Sequence, residues 1–408
     1  MDIPWSRFNL IWQGVRKNTK FWNTNDVPEV IENYENFRCI PKLKKTDLMS
    51  SIDDFICSKV QVVGAITTGG STGEPLKLPI DKRHSQRCRE QQALGRARYG
   101  VRYRDRCFLI WGHSAGMGGG VKAAWQRFLR KLKDRFTGYY RLSAYSLGRD
   151  VLRSEFGQFI RFKPKWVCGY SSAVVAFARA NWDQRDRLRD LDINLILCSA
   201  EMLHLDEAKE LEEFFGAPVA LEYGAMEFGP VAYTRPDAPG MYVMDDLLVE
   251  AIPTGAEHIY RLYVTSLYSR VVPLIRYDLG DEVKIYDPNF FGGVIERFDE
   301  VLGRNNDIIN FADGTAAHSE VVTHAIKSEN EIFSFQFHKW EDAMQLMLVA
   351  APSADEQSLM QRVRTSLVSV NANFLKLEVA FVEDVDVTTS GKRRWIVEHT
   401  GRRQIEQA

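Results

Sequence analysis

The chain has 408 residues, 45% hydrophobic and 26% charged, with 53 basic against 54 acidic side chains and a formal net charge of −1. That length suits about two to three domains of roughly 150 residues and builds a core without disulfide or metal staples. The mix, with 12% aromatics, excludes disorder, and near-neutrality excludes nucleic-acid wrapping as the main task, because no global field attracts a polyanion.

The first twenty residues, MDIPWSRFNLIWQGVRKNTK, spread charge along the segment and contain no apolar signal core. They read as a folded arm of a cytoplasmic protein. No membrane span is expected, since the longest apolar runs, such as Ala173–Ala178 and Leu346–Ala351, fall far short of the roughly 20 residues needed. Cys39, Cys57, Cys88, Cys107, Cys168 and Cys198 are scattered, none within four residues of another. That spacing offers no zinc knuckle and suits a reducing compartment.

Along the chain, Val62–Ile66 reads as a strand. Phe108–Trp111, Trp166–Cys168, Asn194–Leu197 and Val219–Glu222 read as buried strands, apolar and turn-bounded. Between them Ala123–Arg135, Ser172–Trp182 and Asp206–Phe215 read as helices, the last with Leu211, Phe214 and Phe215 at helical spacing and Asp206 as its cap. The alternation predicts a mostly parallel α/β sheet. After Gly229 the texture changes: Met241–Met244, Leu247–Ile252, Ile259–Val264 and Val283–Tyr286 are close-set strands, an antiparallel β subdomain. Past Gly303 the pattern is α+β, with a helix at His318–Lys327, strands at Ile332–His338 and Gln345–Ala350, a helix at Ala354–Ser369 and a strand at Lys376–Val382. The expected fold is therefore α/β. A large N-terminal domain (1–303, β subdomain about 241–303) precedes a small α+β C-terminal domain (304–408), with the hinge between Gly303 and Asp307.

The densest motif is Thr67-Thr68-Gly69-Gly70-Ser71-Thr72-Gly73-Glu74-Pro75. Glycines permit inward-turned N–H groups and the hydroxyls add donors, which makes a phosphate cradle. It is not a Walker A loop, because no Gly-Lys-Ser/Thr follows. Gly116-Met117-Gly118-Gly119-Gly120 misses the dinucleotide spacing at Val121 and suits a tight lead into the next helix, with His113 and Ser114 able to line a cleft. In Glu222-Tyr223-Gly224-Ala225-Met226-Glu227-Phe228-Gly229 a carboxylate, Glu227, leaves a strand; near a phosphate loop it suits Mg²⁺, which wants oxygen. In Pro273-Leu274-Ile275-Arg276-Tyr277-Asp278-Leu279-Gly280-Asp281, Asp281 follows glycine at a turn, where a carboxylate can accept two ribose hydroxyls. Gly303-Arg304-Asn305-Asn306-Asp307 sits at the expected joint, and Ser390-Gly391-Lys392 places a lysine where it can reach a phosphate.

Taken in order, these motifs resemble the adenylate-forming superfamily of acyl-CoA synthetases, and most nearly its compact phenylacetate–CoA ligase branch with capsule-biosynthesis-like relatives. The resemblance runs from Pro41–Leu48 to Lys392. It implies that Thr68, Gly69, Gly70, Ser71, Thr72 and Gly73 bind the phosphates of ATP, and that Tyr223, Gly224 and the strand end Ser199-Ala200-Glu201 lie on the nucleotide. It implies Asp281 and Arg304 on the ribose, Glu227 on Mg²⁺, Asn306 as hinge and Lys392 as the catalytic lysine of a mobile small domain. His113, Gly118, Ala225 and Met226 would wall the acyl pocket, whose small and aromatic surroundings favour an aryl or arylacetic acid. The sequence departs from the family at Glu74, Met226, Leu279 and Asn306.

The activity so implied is ATP-dependent formation of acyl-AMP with release of pyrophosphate, then transfer to a thiol, coenzyme A. Two alternatives stand beside it: loading of a carrier protein or amine in a biosynthetic pathway, and a degenerate nucleotide-binding protein without activity. The expected partners are a small carboxylic acid and, as further candidates, a carrier protein and a second copy of the chain, but no nucleic acid.

Overall fold

The computed structural model describes residues 5–23, 26–67, 76–111, 125, 129, 132–134, 136–144, 149–304, 308–311, 316–318, 326, 329, 331–340, 343–385, 396–399 and 401–403. The chain divides into two compact units, each built from two separate stretches: Met1–Tyr103 with Ala220–Arg304, and Arg104–Val219 with Asn305–Ala408. Among the described residues no helix is long and apolar enough to cross a membrane.

In the first unit the helix Trp5–Asn18 buries Phe8, Trp12 and Val15, four and then three residues apart on one face. Its rings continue into Trp22 and Phe37, with centroids 5.7 Å from Trp12 and 5.2 Å from Phe8. The N-terminal segment is thus a packed arm. The strand Gly64–Thr67 pairs antiparallel with Lys77–Ile80, from Gly64↔Ile80 to Thr67↔Lys77. The glycine- and hydroxyl-rich motif therefore connects two paired strands, although its residues 68–75 lie outside those described. The helix Lys82–Ala97 starts at Asp81, whose carboxylate accepts His84 N–H at 2.9 Å and Val271 N–H at 2.8 Å.

The β subdomain is a five-stranded antiparallel sheet in the order Gly293–Ile295, Leu247–Pro253, Ile259–Ser266, Tyr277–Lys284, Glu300–Arg304. The unit also holds an antiparallel ladder of Val219–Ala225, Gly229–Arg235, Ala238–Val243 and Arg297–Phe298. Two strands differ from expectation. Tyr277–Lys284 begins six residues before the predicted Val283, because Asp278, Gly280, Asp281 and Glu282 hide the apolar alternation. Gly229–Arg235 is not foreseen from sequence, since its first residues, Gly-Pro, read as a turn.

A buried ion pair ties the N-terminal stretch to this sheet. Arg276 Nε and Nη2 donate to the two Glu250 carboxylate oxygens at 2.9 Å each, and Arg276 Nη1 donates to the carbonyls of Arg38 and Ile40 at 2.6 Å. Tyr34 donates its hydroxyl to Glu250 at 3.1 Å. Arg276 itself sits at φ +48°, with its N–H donated to Thr265 Oγ1 at 2.8 Å.

In the second unit Leu195–Ser199, Trp166–Tyr170, Cys107–Trp111 and Tyr139–Ser143 pair in that order, all parallel. Leu195–Ser199 is buried at every position, as expected of a parallel strand covered on both faces. The strand Tyr139–Ser143 is not foreseen from sequence, since Arg141 breaks an otherwise short run. The helix Leu205–Phe215 matches expectation, but its N-cap is His204, whose N–H is taken by the Glu207 carboxylate at 3.1 Å, and not Asp206. The C-terminal sheet runs Glu378–Phe381, Met344–Ala350, Ile332–Lys339, Ile396–Glu398, its central pair antiparallel and its outer pairs parallel. Leu359, Val363 and Leu367 of the helix Glu356–Val370 close over Phe335, Phe337, Leu346 and Leu348. His318, expected to open a helix, ends the strand Ala316–His318 paired with Ile308–Asn310.

Candidate active site

Among the described residues the first unit holds seven of the predicted site positions: Tyr223, Gly224, Ala225, Met226, Glu227, Asp281 and Arg304. Val219–Ala225 and Gly229–Arg235 form a hairpin whose tip is Met226-Glu227-Phe228. Phe228 N–H closes the turn onto Ala225 O at 3.1 Å, and Gly229 at φ +74° completes it, as a three-residue hairpin loop requires. A side chain at Gly229 would also meet Cys88 Sγ at 2.6 Å. Glu227 is therefore at a hairpin tip and not simply beyond a strand end.

Asp281 lies inside a strand, not at the turn its glycine suggested. Tyr263 pairs with Asp278 and Arg261 with Glu282, so Leu262 alone stands opposite Leu279, Gly280 and Asp281. This bulge needs Gly280 at φ +80° and is pinned by Asp278, which accepts from Gly280 N–H at 2.9 Å and Arg261 Nε at 2.8 Å. Bulges re-aim side chains. Here Tyr223 donates its hydroxyl to Asp281 Oδ2 at 2.6 Å, the Tyr223 ring standing edge-on to Phe298. On the other flank of the strand, the register partner of Asp281 is Arg304. Tyr223, Asp281 and the Arg304 backbone thus converge, and Gly224, opposite Pro230, leads from Tyr223 to the hairpin tip.

Glu227 is buried. Its Oε1 accepts the Tyr277 hydroxyl at 3.2 Å and its carbonyl accepts Arg270 Nη2 at 2.8 Å. Among the described residues nothing donates to Oε2, and no group of three or more His, Cys, Asp or Glu could hold a metal. A single carboxylate fits Mg²⁺, which keeps waters and shares phosphate oxygens rather than demanding a protein cage. Ala225 ends the strand before this tip and Met226 is exposed at it.

Behind Glu227 lies a layer the sequence did not announce. Arg270 is buried between the Phe228 and Tyr268 rings, 5.5 and 5.9 Å from their centroids, and its Nε and Nη1 have no partner among the described residues. His84 Nδ1 and the Tyr268 hydroxyl share a 2.8 Å hydrogen bond, and Cys88 Sγ donates to Phe228 O at 3.5 Å. Burial and the Arg270 charge push His84 down to about 4, and burial lifts Cys88 to about 11 and Tyr268 to about 12. All three are neutral at physiological pH, so Cys88 is packing and not a nucleophile. The one available signal was Arg270 itself, a charge inside the run Leu267–Ile275, which a fold buries only with a purpose.

In the second unit Glu201 follows the strand Leu195–Ser199, after Ala200 at φ +67°. Its carboxylate accepts Ser172 N–H at 3.0 Å and its carbonyl accepts Ser171 Oγ at 2.9 Å, at the start of the helix Ser171–Ala180. Thr68, Gly69, Gly70, Ser71, Thr72, Gly73, His113, Gly118, Asn306 and Lys392 lie outside the described residues.

No profile of a known protein family matches the chain. Protein CapK of Staphylococcus aureus is 23% identical over 414 residues, spanning 97% of this chain and 88% of CapK. Among solved structures, 2-hydroxyisobutyryl-CoA ligase in its postadenylation state with R3-HIB-AMP superposes with TM-score 0.68 at 16% identity, covering 97% of this chain and 88% of that one. The same ligase with 2-HIB-AMP and CoA gives 0.55 at 16% over the same shares. The anthranilate CoA ligase AuaEII with anthranoyl-AMP gives 0.58 at 16% identity, covering 81% and 65%. The fold of this chain is that of the adenylate-forming acyl- and aryl-CoA ligases.

Proposed function

We propose that the chain activates a carboxylic acid with ATP and passes the acyl group to the thiol of coenzyme A. A carboxylate oxygen attacks the α-phosphorus, the bond to the β-phosphate oxygen breaks, and pyrophosphate leaves. The thiol sulfur then attacks the acyl carbonyl, AMP departs, and the thiol proton passes to solvent. Two anions meet in the first step, so catalysis rests on positioning and charge neutralisation.

The observation carrying this reading is the convergence of Tyr223, Asp281 and the Arg304 backbone, with Glu227 four residues after Tyr223, in a chain whose fold matches a ligase bound to R3-HIB-AMP along 97% of its length. Asp281 would take the ribose hydroxyls with Arg304 beside it. Thr68, Ser71, Thr72 and the Gly69, Gly70 and Gly73 amides would cradle the phosphates. The nucleotide would lie along Tyr223, Gly224 and the strand end at Glu201. Glu227 would hold Mg²⁺, which screens phosphate charge when bound. Lys392, on a C-terminal domain of residues 304–408 turning about Asn306, would bridge the carboxylate and α-phosphate. His113, Gly118, Ala225 and Met226 would wall a pocket for an aromatic or arylacetic acid, as in a phenylacetate–CoA ligase.

The test is carboxylate-dependent ATP–pyrophosphate exchange over a panel of acids, with wild type and Lys392→Ala. Exchange with aryl acids, nearly abolished in the variant while ATP still binds, is the expected result. Nucleotide binding with no exchange for any acid overturns the reading in favour of a binding protein. Acyl transfer to an amine or carrier protein in place of CoA would relocate the second half-reaction alone.

A further inference from the structure

We infer that Arg270 is a positioning residue for Glu227, clamping the hairpin tip from beneath so that the carboxylate presents Oε2 to a magnesium–phosphate group. The inference rests on the reading of Glu227 given above and adds the residue through which that carboxylate is set.

Two arginines are buried among the described residues of this unit, and they are bonded differently. Arg276 is fully engaged, with both Glu250 oxygens and two carbonyls taking its donors. Arg270 is 1% exposed, yet among the described residues it has no ion pair, and its Nε and Nη1 have no acceptor. The neighbouring carboxylates are engaged elsewhere. Asp81 accepts His84 N–H and Val271 N–H, and Asp246 pairs with Arg87 Nε at 3.5 Å.

The one directed bond of Arg270 among the described residues runs from Nη2 to the Glu227 carbonyl at 2.8 Å. It completes a clamp on the tip. Phe228 N–H is bonded to Ala225 O at 3.1 Å, and Phe228 O takes the Cys88 thiol at 3.5 Å. The Tyr277 hydroxyl holds Glu227 Oε1 at 3.2 Å. With the backbone fixed below and one carboxylate oxygen fixed at the side, Oε2 is the acceptor left to face a ligand. A buried cation is costly to desolvate, and the Phe228 and Tyr268 rings beside it offset only part of that cost. A neutral amide could donate to the same carbonyl more cheaply. What arginine adds is charge. A charge-assisted bond holds the tip peptide more firmly, and an unneutralised positive charge acts through low-dielectric protein on the phosphates gathered at Glu227.

The experiment measures ATP affinity by titration calorimetry, once with Mg²⁺ and once with EDTA. It uses the full-length wild type, Arg270→Gln, Arg270→Lys, Glu227→Gln and the double variant Arg270→Gln/Glu227→Gln. The readout is the gain in affinity that magnesium brings, which a purely structural role would leave unmoved. The gain should fall about tenfold in Arg270→Gln, the order of one charge-assisted hydrogen bond, and about threefold in Arg270→Lys, which keeps the charge but not the planar fork. Glu227→Gln should lose the gain, and adding Arg270→Gln should then change it by less than about twofold, because one residue acts through the other. Circular dichroism confirms folding, and either folded single variant of Arg270 decides the matter. A wild-type gain in that variant, with Glu227→Gln deficient, overturns the positioning role alone. Additive losses in the double variant overturn it equally. An undiminished gain in Glu227→Gln, or no gain in the wild type, overturns the reading of Glu227 and this inference with it.

Discussion

Replacing Glu250 by glutamine tests how the N-terminal arm is held. The Arg276–Glu250 pair is sealed, its side chains 4% and 0% exposed. The glutamine removes the negative charge and turns an N–H₂ group toward guanidinium donors, stranding a buried cation. Breaking one partner of such a pair costs about 3–5 kcal/mol. Arg276→Met strands the carboxylate with Tyr34 alone and also frees the Arg38 and Ile40 carbonyls, each worth about 1–3 kcal/mol when left unbonded. The arm residues 34–43 are the segment these bonds clamp, so amide hydrogen exchange there is the direct readout. At about 1.4 kcal/mol per decade, protection in Glu250→Gln should fall by about two to three and a half decades, and in Arg276→Met by more. The double variant Glu250→Leu/Arg276→Met removes the stranded charge and should be less destabilised than the sum of the singles by at least about 2 kcal/mol. Single variants within about 1 kcal/mol of wild type, or additive effects, would refute the reasoning.

Three further outcomes are expected. Asp281→Ala should weaken ATP binding about tenfold or more by titration calorimetry, from charge-assisted bonds of about 1.5–3 kcal/mol, and Tyr223→Phe less so; unchanged affinity would remove Asp281 from the ribose. Met226→Thr, at the exposed hairpin tip, should speed pyrophosphate exchange about tenfold if the added hydroxyl reaches the α-phosphate. If Met226 instead packs on the acyl group, activity should shift toward bulkier acids, and a flat response across acids of graded size would place Met226 away from both. His84 is held down near 4 from a reference of 6.5, so its contribution to stability is present above 6.5 and is lost as pH falls through 4. Urea midpoints should drop across that window and flatten in His84→Gln; identical pH profiles would dismiss the assignment.

Where local chemistry has one solution, the sequence was readable. The Glu222–Gly229 motif announces a tight connection, and the structure makes it a hairpin because Gly229 alone tolerates both the positive φ and the approach of Cys88. The run Asn194–Leu197 announces a buried strand, and the structure places that strand at Leu195–Ser199, buried at every position. Asp281 misled, because Gly-Asp reads as a turn, whereas the glycine serves a bulge inside a paired strand; register with Ile259–Ser266 and Glu300–Arg304 is information no local window holds. Tyr277, Arg270 and His84 escaped for a similar reason. Their contacts join residues far apart in sequence, Tyr277 to Glu227 and His84 to Tyr268, and nothing in their own neighbourhoods marks the partner.

The two-stretch composition of each unit bears on how the protein comes into being. The Phe8–Trp12 face and the acceptor carbonyls of Arg38 and Ile40 leave the ribosome early, but Arg276 follows 236 residues after Ile40. At about 5–20 residues per second, the N-terminal arm waits about 10–50 s for its ion pair. During that interval its aromatic side chains are a sticky, incomplete surface, and a chain that stalls near residue 219 has neither unit whole. Holding factors, or rapid elongation, would matter more to such a chain than to one whose first hundred residues close a core by themselves.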